Sequence, residues 1–460
     1  MKEGLIIKGK RMVVVGLGRS GSAAALWLAG RGAEVTVSDL RHEADFHPDL
    51  IKKIREAGIR LEAGGHDAGT FCGADLIVVS PGVPDDIPPV KAARDSGIPV
   101  LGEMELACRF LDIPMAGVTG TNGKSTVTAL LGEMLRNTGR RVFVGGNIGT
   151  PLMDLAAGPG EYDCAVVEVS SYQLDTIESF RPDVSVVLNI TPDHLDRYAD
   201  YEAYVRSKLR IFSGQEPDGT VVLNDDDERL RQVDPGGRLR VLRYGVEEGP
   251  GRAAWVSKDH VITRFPGMES MAFSLERFAL PGAHNRENAA AAVLAALAFG
   301  AGPEAIQEAV DSFQGLPHRL ELVAEADGVA FYNDSKATNV DAAVRAVMSF
   351  ERPLVLIAGG RHKGAEYGAL VRAARGRVKE AVFLGEARFL LAQAFEGVLP
   401  VRPADTLEEA VFEAAGRAEP GDAVLFSPAC SSFDMFRDYE HRGQAFIDAV
   451  LGELNGREGA

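Results

Sequence analysis

The residues best equipped for chemistry lie between Met115 and Ala129, where Gly117, Gly120 and Gly123 lead into Lys124, Ser125 and Thr126. Glycines let backbone N–H groups turn inward on phosphate oxygens, and a helix N-terminus behind them adds partial positive charge. A lysine placed here reaches β- and γ-phosphates, and the two hydroxyls suit Mg²⁺. A strict Walker A motif has four residues between its glycines, whereas five separate Gly117 from Gly123. The apolar approach to the loop predicts a strand, and the run from Val127 to Arg136 predicts a helix. A nucleoside triphosphate site is the expectation.

Other polar clusters follow apolar runs. Cys164 to Val167 leads into Glu168-Val-Ser-Ser-Tyr-Gln173, and Val184 to Leu188 leads into Asn189-Ile-Thr-Pro-Asp-His194-Leu-Asp196. In a parallel α/β sheet, the ends of such strands converge on the ligand crevice. Glu168 and His194 are therefore candidate metal ligands, although either residue type also serves as a helix cap or a surface group. Near the N-terminus, Arg11 to Val15 precedes Gly16-Leu-Gly-Arg-Ser-Gly21, and a second strand from Ala33 ends at Asp39. This matches the dinucleotide fingerprint with its acidic residue about 20 positions on. It fits NAD, or another nucleotide at the same loop.

At the scale of the whole chain, 460 residues amount to about three domains. The formal charge of −17 argues against a nucleic-acid partner, since phosphate neutralisation needs clustered Lys and Arg. No run approaches the ~18 apolar residues of a membrane span, and Met1 to Lys8 lacks the long apolar core of a signal peptide. Cytoplasm is the expected compartment, without membrane insertion. Cys72, Cys108, Cys164 and Cys430 have no paired spacing, so neither a zinc site nor a disulfide framework is indicated.

Strand Asp75 to Val79 and turn Ser80-Pro-Gly-Val-Pro84 complete a first unit, 1–103, whose last strand is Pro99 to Gly102. A second unit, 104–315, carries the phosphate loop, Arg141 to Val144 with Gly145-Gly-Asn-Ile-Gly149, and a helix from Tyr204 to Phe212. Lys208 in that helix reads as part of a solvated face. The tract 214–280 mixes turns with short β runs, and Gly282-Ala-His-Asn-Arg-Glu-Asn288 opens an alanine-rich helix. A third unit, 316–460, alternates strands and helices, with polar clusters at Asn333–Thr338, Gly359–Lys363 and Ser427–Ser432.

With these clusters assembled, the chain resembles the Mur ligase family over nearly its whole length and in the same order. Gly117-Val-Thr-Gly-Thr-Asn-Gly-Lys-Ser-Thr126 is similar to the family's ATP loop, His284-Asn285-x-x-Asn288 to its adenine-side motif, and Asp334-Ser-Lys-Ala-Thr338 to its C-terminal signature. The Ser80–Pro84 turn, Asn333–Asn339 and Ser427-Pro-Ala-Cys-Ser-Ser-Phe-Asp434 resemble the members that add D-glutamate. The tract 214–280 matches no motif.

The resemblance implies an α/β protein of three domains: an N-terminal Rossmann-like domain, a central P-loop ATPase-type domain and a C-terminal Rossmann-like domain. It implies ATP, D-glutamate and UDP-N-acetylmuramoyl-L-alanine as substrates, an acyl-phosphate intermediate, and a monomer in peptidoglycan precursor synthesis. Gly117, Thr119, Gly120, Thr121, Asn122, Gly123, Lys124, Ser125 and Thr126 would hold ATP phosphates. Asn285 and Asn288 would face adenine, and Arg319 and Asp334 would touch phosphate and ribose. Two Mg²⁺ sites would use Ser125, Thr126, Glu168, His194 and Lys208, the last as a carbamate.

Ser20, Asp39, Gly82, Asn147 and His194 would meet the UDP-linked substrate, with Arg19 and Arg41 as further candidates. Lys336, Thr338, Lys363 and Ser432, with Phe433 backbone, would hold D-glutamate. Tyr439 stands where relatives often carry phenylalanine. Substrates divided among three domains would require closure. The rival readings are a sibling or folate ligase, an NAD-dependent oxidoreductase, and a non-catalytic nucleotide-binding protein. Against the diaminopimelate- or lysine-adding sibling, the chain has no Asp-Asn-Pro-Lys/Arg motif.

Overall fold

Runs rich in valine, isoleucine and alanine, each closed by glycine or a polar cluster, build three successive sheets. They are seen in a computed structural model that describes residues 5–84, 86–193, 197–364 and 366–458. The first sheet contains β1 (Arg11–Val15), β2 (Glu34–Asp39), β3 (Arg60–Ala63), β4 (Leu76–Val79) and β5 (Val100–Gly102). Its order is β3-β2-β1-β4-β5, all parallel. The continuous apolar character of β1 and β4 suits strands covered on both faces, and every residue of β4 is buried.

The second sheet contains β6 (Met115–Thr119), β7 (Val142–Gly146), β8 (Cys164–Glu168), β9 (Val184–Val187), β10 (Thr220–Asn224), β11 (Arg240–Gly245), β12 (Arg252–Ser257), β13 (His260–Thr263) and β14 (Met271–Ser274). The order is β14-β13-β12-β11-β10-β9-β6-β8-β7. The turn-rich tract 214–280 thus supplies five strands to one edge, and β12, β13 and β14 pair antiparallel. The helix Ala283–Ala298 lies across this sheet with Ala289 to Ala296 wholly buried. Its small side chains let it pack closely against the helix Lys124–Arg136 and strands β10 to β12.

The third sheet holds β15 (Glu321–Ala326), β16 (Val329–Asn333), β17 (Leu354–Gly359), β18 (Val378–Leu384), β19 (Val401–Pro403) and β20 (Ala423–Phe426). It runs β15-β16-β20-β17-β18-β19, with only β15 antiparallel. One hydrophobic cluster joins the first sheet to the second through Trp27, Leu106, Met153 and Phe180, and the Trp27 indole donates to the Ala156 carbonyl at 3.1 Å. The α/β architecture in three sheets is as expected from the sequence. Among the described residues, no helix is long and apolar enough to cross a membrane.

Candidate active site

The strand order decides what meets. In the central sheet β9, β6, β8 and β7 are neighbours, so their carboxyl ends bring Asn189, the phosphate loop, Glu168 and Asn147 to one edge. Gly120 (φ 148°) and Gly123 (φ 89°) adopt backbone that side chains disfavour, and a Cβ at Gly123 would collide with Asn288 Oδ1. Asn189 fixes the loop between them: its Oδ1 accepts from Asn122 N at 2.8 Å, and its amide donates to Asn122 O at 2.9 Å. Gly117 differs. It lies inside β6, and a Cβ there would press on Phe180 and Ile211, so its small size serves core packing rather than the phosphate turn.

Lys124 begins the helix and folds back over the loop, donating to the carbonyls of Gly120 (2.9 Å) and Thr121 (2.7 Å). Lys208, expected on a solvated face, is 2 % exposed and donates to the same Gly120 carbonyl at 2.8 Å. Its ammonium stands 4.8 Å from the ring centroid of Tyr204, whose hydroxyl bonds Thr121 at 3.1 Å. Burial, and then the neighbouring Lys124 charge, push the Lys208 amine well below its ordinary range.

Glu168 is buried and accepts from Asn147 Nδ2 at 2.8 Å. Burial alone would raise its carboxyl, but Lys336, Lys124, Asn147 and Ser125 bring it below the usual value. Glu168 Oε2 and Thr126 Oγ1 are buried without a hydrogen-bond partner. Orphaned oxygens are costly, and a hard divalent cation takes such donors; the residues present fit Mg²⁺. Among the described residues no group of three or more His, Cys, Asp or Glu forms a ready metal site. His194, the other ligand expected there, lies outside the described residues.

A crevice beside the loop is lined by Asn122, Gly123, His284, Asn288, Arg319, Asp334, Lys336 and Arg345. It joins the expected adenine-side and C-terminal residues to the phosphate loop. Asn285 is buried behind it, its amide on Pro281 O at 2.7 Å and its Oδ1 accepting from Asn288 Nδ2. Asp334 accepts from Ser427 Oγ at 2.8 Å and Leu320 N at 3.3 Å, and burial pushes its carboxyl up to about 7 against the pull of Arg319. Arg319 Nε is itself buried and unpaired. The sequence reading missed His284 and Arg345 as crevice residues; His284 stood inside a motif already noted, while Arg345 lay in an unremarkable helix.

In the third sheet β16, β20 and β17 are neighbours, and the loops after them carry Lys336 and Thr338, Ser432 and Phe433, and Lys363. Ser432 is buried, Thr338 half-buried, and Lys363 and Phe433 are exposed. Burial pulls the Lys336 amine down to about 8, with Glu168 opposing. In the first sheet, the ends of β1, β2 and β4 form a second cavity. Arg19, Ser20, Asp39, Arg41, Gly82 and Asn147 all line it. Asp39 accepts from Leu17 N at 2.7 Å and pairs with Arg41 at 2.9 Å, contacts that outweigh burial and lower its carboxyl.

This arrangement, three strand-end clusters around a phosphate loop, has counterparts in known proteins. Family models describe residues 10–102 as a Mur ligase MurD-like N-terminal domain, 118–296 as a Mur ligase middle domain and 318–430 as a Mur ligase glutamate ligase domain. A UDP-N-acetylmuramoylalanine–D-glutamate ligase of Desulfosudis oleivorans is 50% identical over 96% of this chain and 96% of its own. One from Acidobacterium capsulatum is 46% identical over 97% of each. The crystal structure of a UDP-N-acetylmuramate–alanine ligase of Thermotoga maritima matches 96% of this chain and 99% of its own with a TM-score of 0.62 at 20% identity, a likeness of fold. On the family models and these identities, the chain belongs to the Mur ligase family.

Proposed function

We propose that this chain adds D-glutamate to UDP-N-acetylmuramoyl-L-alanine in the cytoplasm, at the expense of ATP, as a monomer with domains at 1–103, 104–315 and 316–460. The observation that carries this reading is the single crevice in which the phosphate-loop residues Asn122 and Gly123 face Asn288, Arg319, Asp334 and Lys336, beside a loop whose Glu168 keeps an orphaned oxygen. The names of the relatives supply the acceptor.

The alanyl carboxylate attacks the γ-phosphorus of ATP, the bond to ADP breaks, and an acyl phosphate forms. The neutral amine of D-glutamate then attacks the acyl carbon, an amide forms, and phosphate and a proton leave. Phosphoryl transfer is mainly positioning and charge neutralisation. Lys124 exchanges its carbonyl partners for phosphate oxygens, and Asn288 and Asp334 hold the nucleoside. Ser20, Asp39, Gly82 and Asn147 hold the UDP-linked substrate. Lys336, Thr338, Lys363 and Ser432 offer cations and donors for the two D-glutamate carboxylates.

Ser125, Thr126 and Glu168 would hold one Mg²⁺ and His194 another, with Lys208 as a carbamate able to serve both; such ions would neutralise phosphate charge. The deciding experiment is phosphate release from ATP with UDP-N-acetylmuramoyl-L-alanine, with and without D-glutamate, and with L-glutamate, L-alanine or diaminopimelate in parallel. Release dependent on D-glutamate alone supports the reading. Release with another acceptor overturns the C-terminal assignments.

A further inference from the structure

Tyr439 and Glu440 open the C-terminal helix Tyr439–Glu458, at the opposite end of the sequence from the β1 loop, yet the fold brings the two together. Arg19 Nη2, at the rim of the nucleotide-sugar cavity, donates to Glu440 Oε2 at 2.7 Å. The Tyr439 hydroxyl donates to Glu440 Oε1 at 3.2 Å and accepts from Lys336 Nζ at 3.4 Å. Lys336 also stands 5.0 Å from the centroid of the Tyr439 ring. A continuous chain of polar contacts therefore runs from the first sheet's phosphate-facing loop to the lysine assigned to D-glutamate. It depends on a tyrosine hydroxyl, which phenylalanine would lack.

We propose that Arg19, Glu440 and Tyr439 form an interdomain latch that positions Lys336 for D-glutamate when the first and third domains stand together. The inference rests on the ligase reading above. None of the three need touch a reacting atom; they are positioning residues. Glu440 alone could be dismissed as a favourable charge in the first turn of a helix. That explanation accounts neither for the Arg19 partner, supplied by another domain, nor for the tyrosine between Glu440 and Lys336. Other contacts tie the third domain to the central site, among them Asn122 to Asp341 at 2.6 Å, Thr191 to Asp341 at 3.4 Å and Asn339 to Asp193 at 3.0 Å. The latch brings the first domain into this set of contacts.

The test compares Arg19→Glu, Glu440→Arg, the double exchange Arg19→Glu/Glu440→Arg, and Tyr439→Phe in the full-length enzyme. Half-exposed ion pairs contribute about 0.2–1 kcal/mol, so each single reversal is expected to raise KM for D-glutamate by up to about five-fold, with KM for ATP unchanged. Tyr439→Phe is expected to raise the same KM. At saturating UDP-linked substrate, whose own KM rises with either Arg19→Glu variant because Arg19 lines that cavity, the double exchange restores the KM for D-glutamate, although its arginine in the first turn of the helix still opposes the helix dipole, which separates a latch from simple helix stabilisation. Spin labels on the first and third domains should report shorter distances for the wild type and the double exchange than for the single reversals, whatever the turnover. Single variants that match the wild type, or a double variant as impaired as the product of the singles, overturn the latch. Wild type that releases no phosphate with D-glutamate overturns the ligase reading instead. Should Glu440→Arg not fold, Glu440→Gln is read by the same KM for D-glutamate and the same spin-label distances, and values matching the wild type overturn the latch.

Discussion

Lys124 and Lys208 donate to one carbonyl, that of Gly120, at 2.9 and 2.8 Å. Both ammonium groups are taken out of water around a single acceptor, and burial holds both amines below their ordinary range, with the Lys124 charge lowering Lys208 further. The strain is relieved when one lysine gains an anionic partner, which for Lys124 is the phosphate it would cradle. Lys124→Met should therefore lower the rate of phosphate release by about 10²–10³-fold, as loss of one charge-stabilising donor does. The same variant should melt no lower than the wild type in the absence of nucleotide. A melting temperature several degrees lower would show that Lys124 holds the loop together rather than waiting for ligand.

Glu168 carries the next prediction. Its Oε1 is held by Asn147 while Oε2 is buried with no partner. A carboxylate presented in this way should answer to a cation. Glu168→Gln keeps the shape and removes the charge, and the Mg²⁺ concentration giving half-maximal activity should rise at least about tenfold, since a carboxylate attracts a hard divalent cation far more than a neutral amide oxygen does. Asn147→Ala frees the other oxygen and should produce a smaller rise. Titrating Mg²⁺ in the phosphate-release assay measures both. An unchanged requirement in Glu168→Gln would remove it from the metal site.

Much of this site could be read in the chain because parallel α/β sheets put their polar clusters at strand ends, and β6, β8, β16, β17 and β20 are apolar runs that stop where chemistry begins. What escaped was set by tertiary contact. Read from its helix alone Lys208 looked solvated, because Tyr201–Leu209 mixes charges on several faces, and only the family resemblance put it at the site. The clue was Tyr204, four positions earlier and therefore on the same face. The edge strands β15 and β19 carry weak local signals, the first half-exposed with charges only at Glu321 and Glu325 and the second three residues ending in proline. Gly117 reads as part of a phosphate motif, and only the packed positions of Phe180 and Ile211 reveal its role in the core. The pairing of Arg19 with Glu440 joins the two ends of the chain and left no local trace.

Gly123 joins backbone geometry to nucleotide binding. Its φ of 89° disfavours any side chain, and a Cβ would meet Asn288 Oδ1. Gly123→Ala should cost about 1–3 kcal/mol of stability from strain and displace Asn288 from the crevice. Urea unfolding should show the loss, and KM for ATP should rise while KM for D-glutamate stays within about two-fold. The strain cost is general, whereas the nucleotide effect comes through one contact. Restoring room with Gly123→Ala/Asn288→Gly should therefore recover part of the stability and none of the ATP affinity.

Lys336 predicts a pH dependence whose direction is fixed by burial. Its amine is drawn down to about 8 because leaving water disfavours the charged form, although Glu168 pulls the other way and Arg319 and Lys124 add to the lowering. Below pH 8 the group is an ammonium and can hold a D-glutamate carboxylate. As pH rises through 8 it loses the proton and that attraction. KM for D-glutamate should thus climb between pH 7.5 and 9, approaching about tenfold per pH unit at the upper end. The substrate's own amine complicates the rate, since it must be neutral to attack and turns over better at high pH. The two effects separate in kcat and KM, and more cleanly in Lys336→Arg, whose guanidinium stays charged throughout. That variant should bind D-glutamate more weakly at pH 7 and show a flat KM up to pH 9. A KM that rises equally in wild type and Lys336→Arg would assign the titration to the amino acid and not to the lysine.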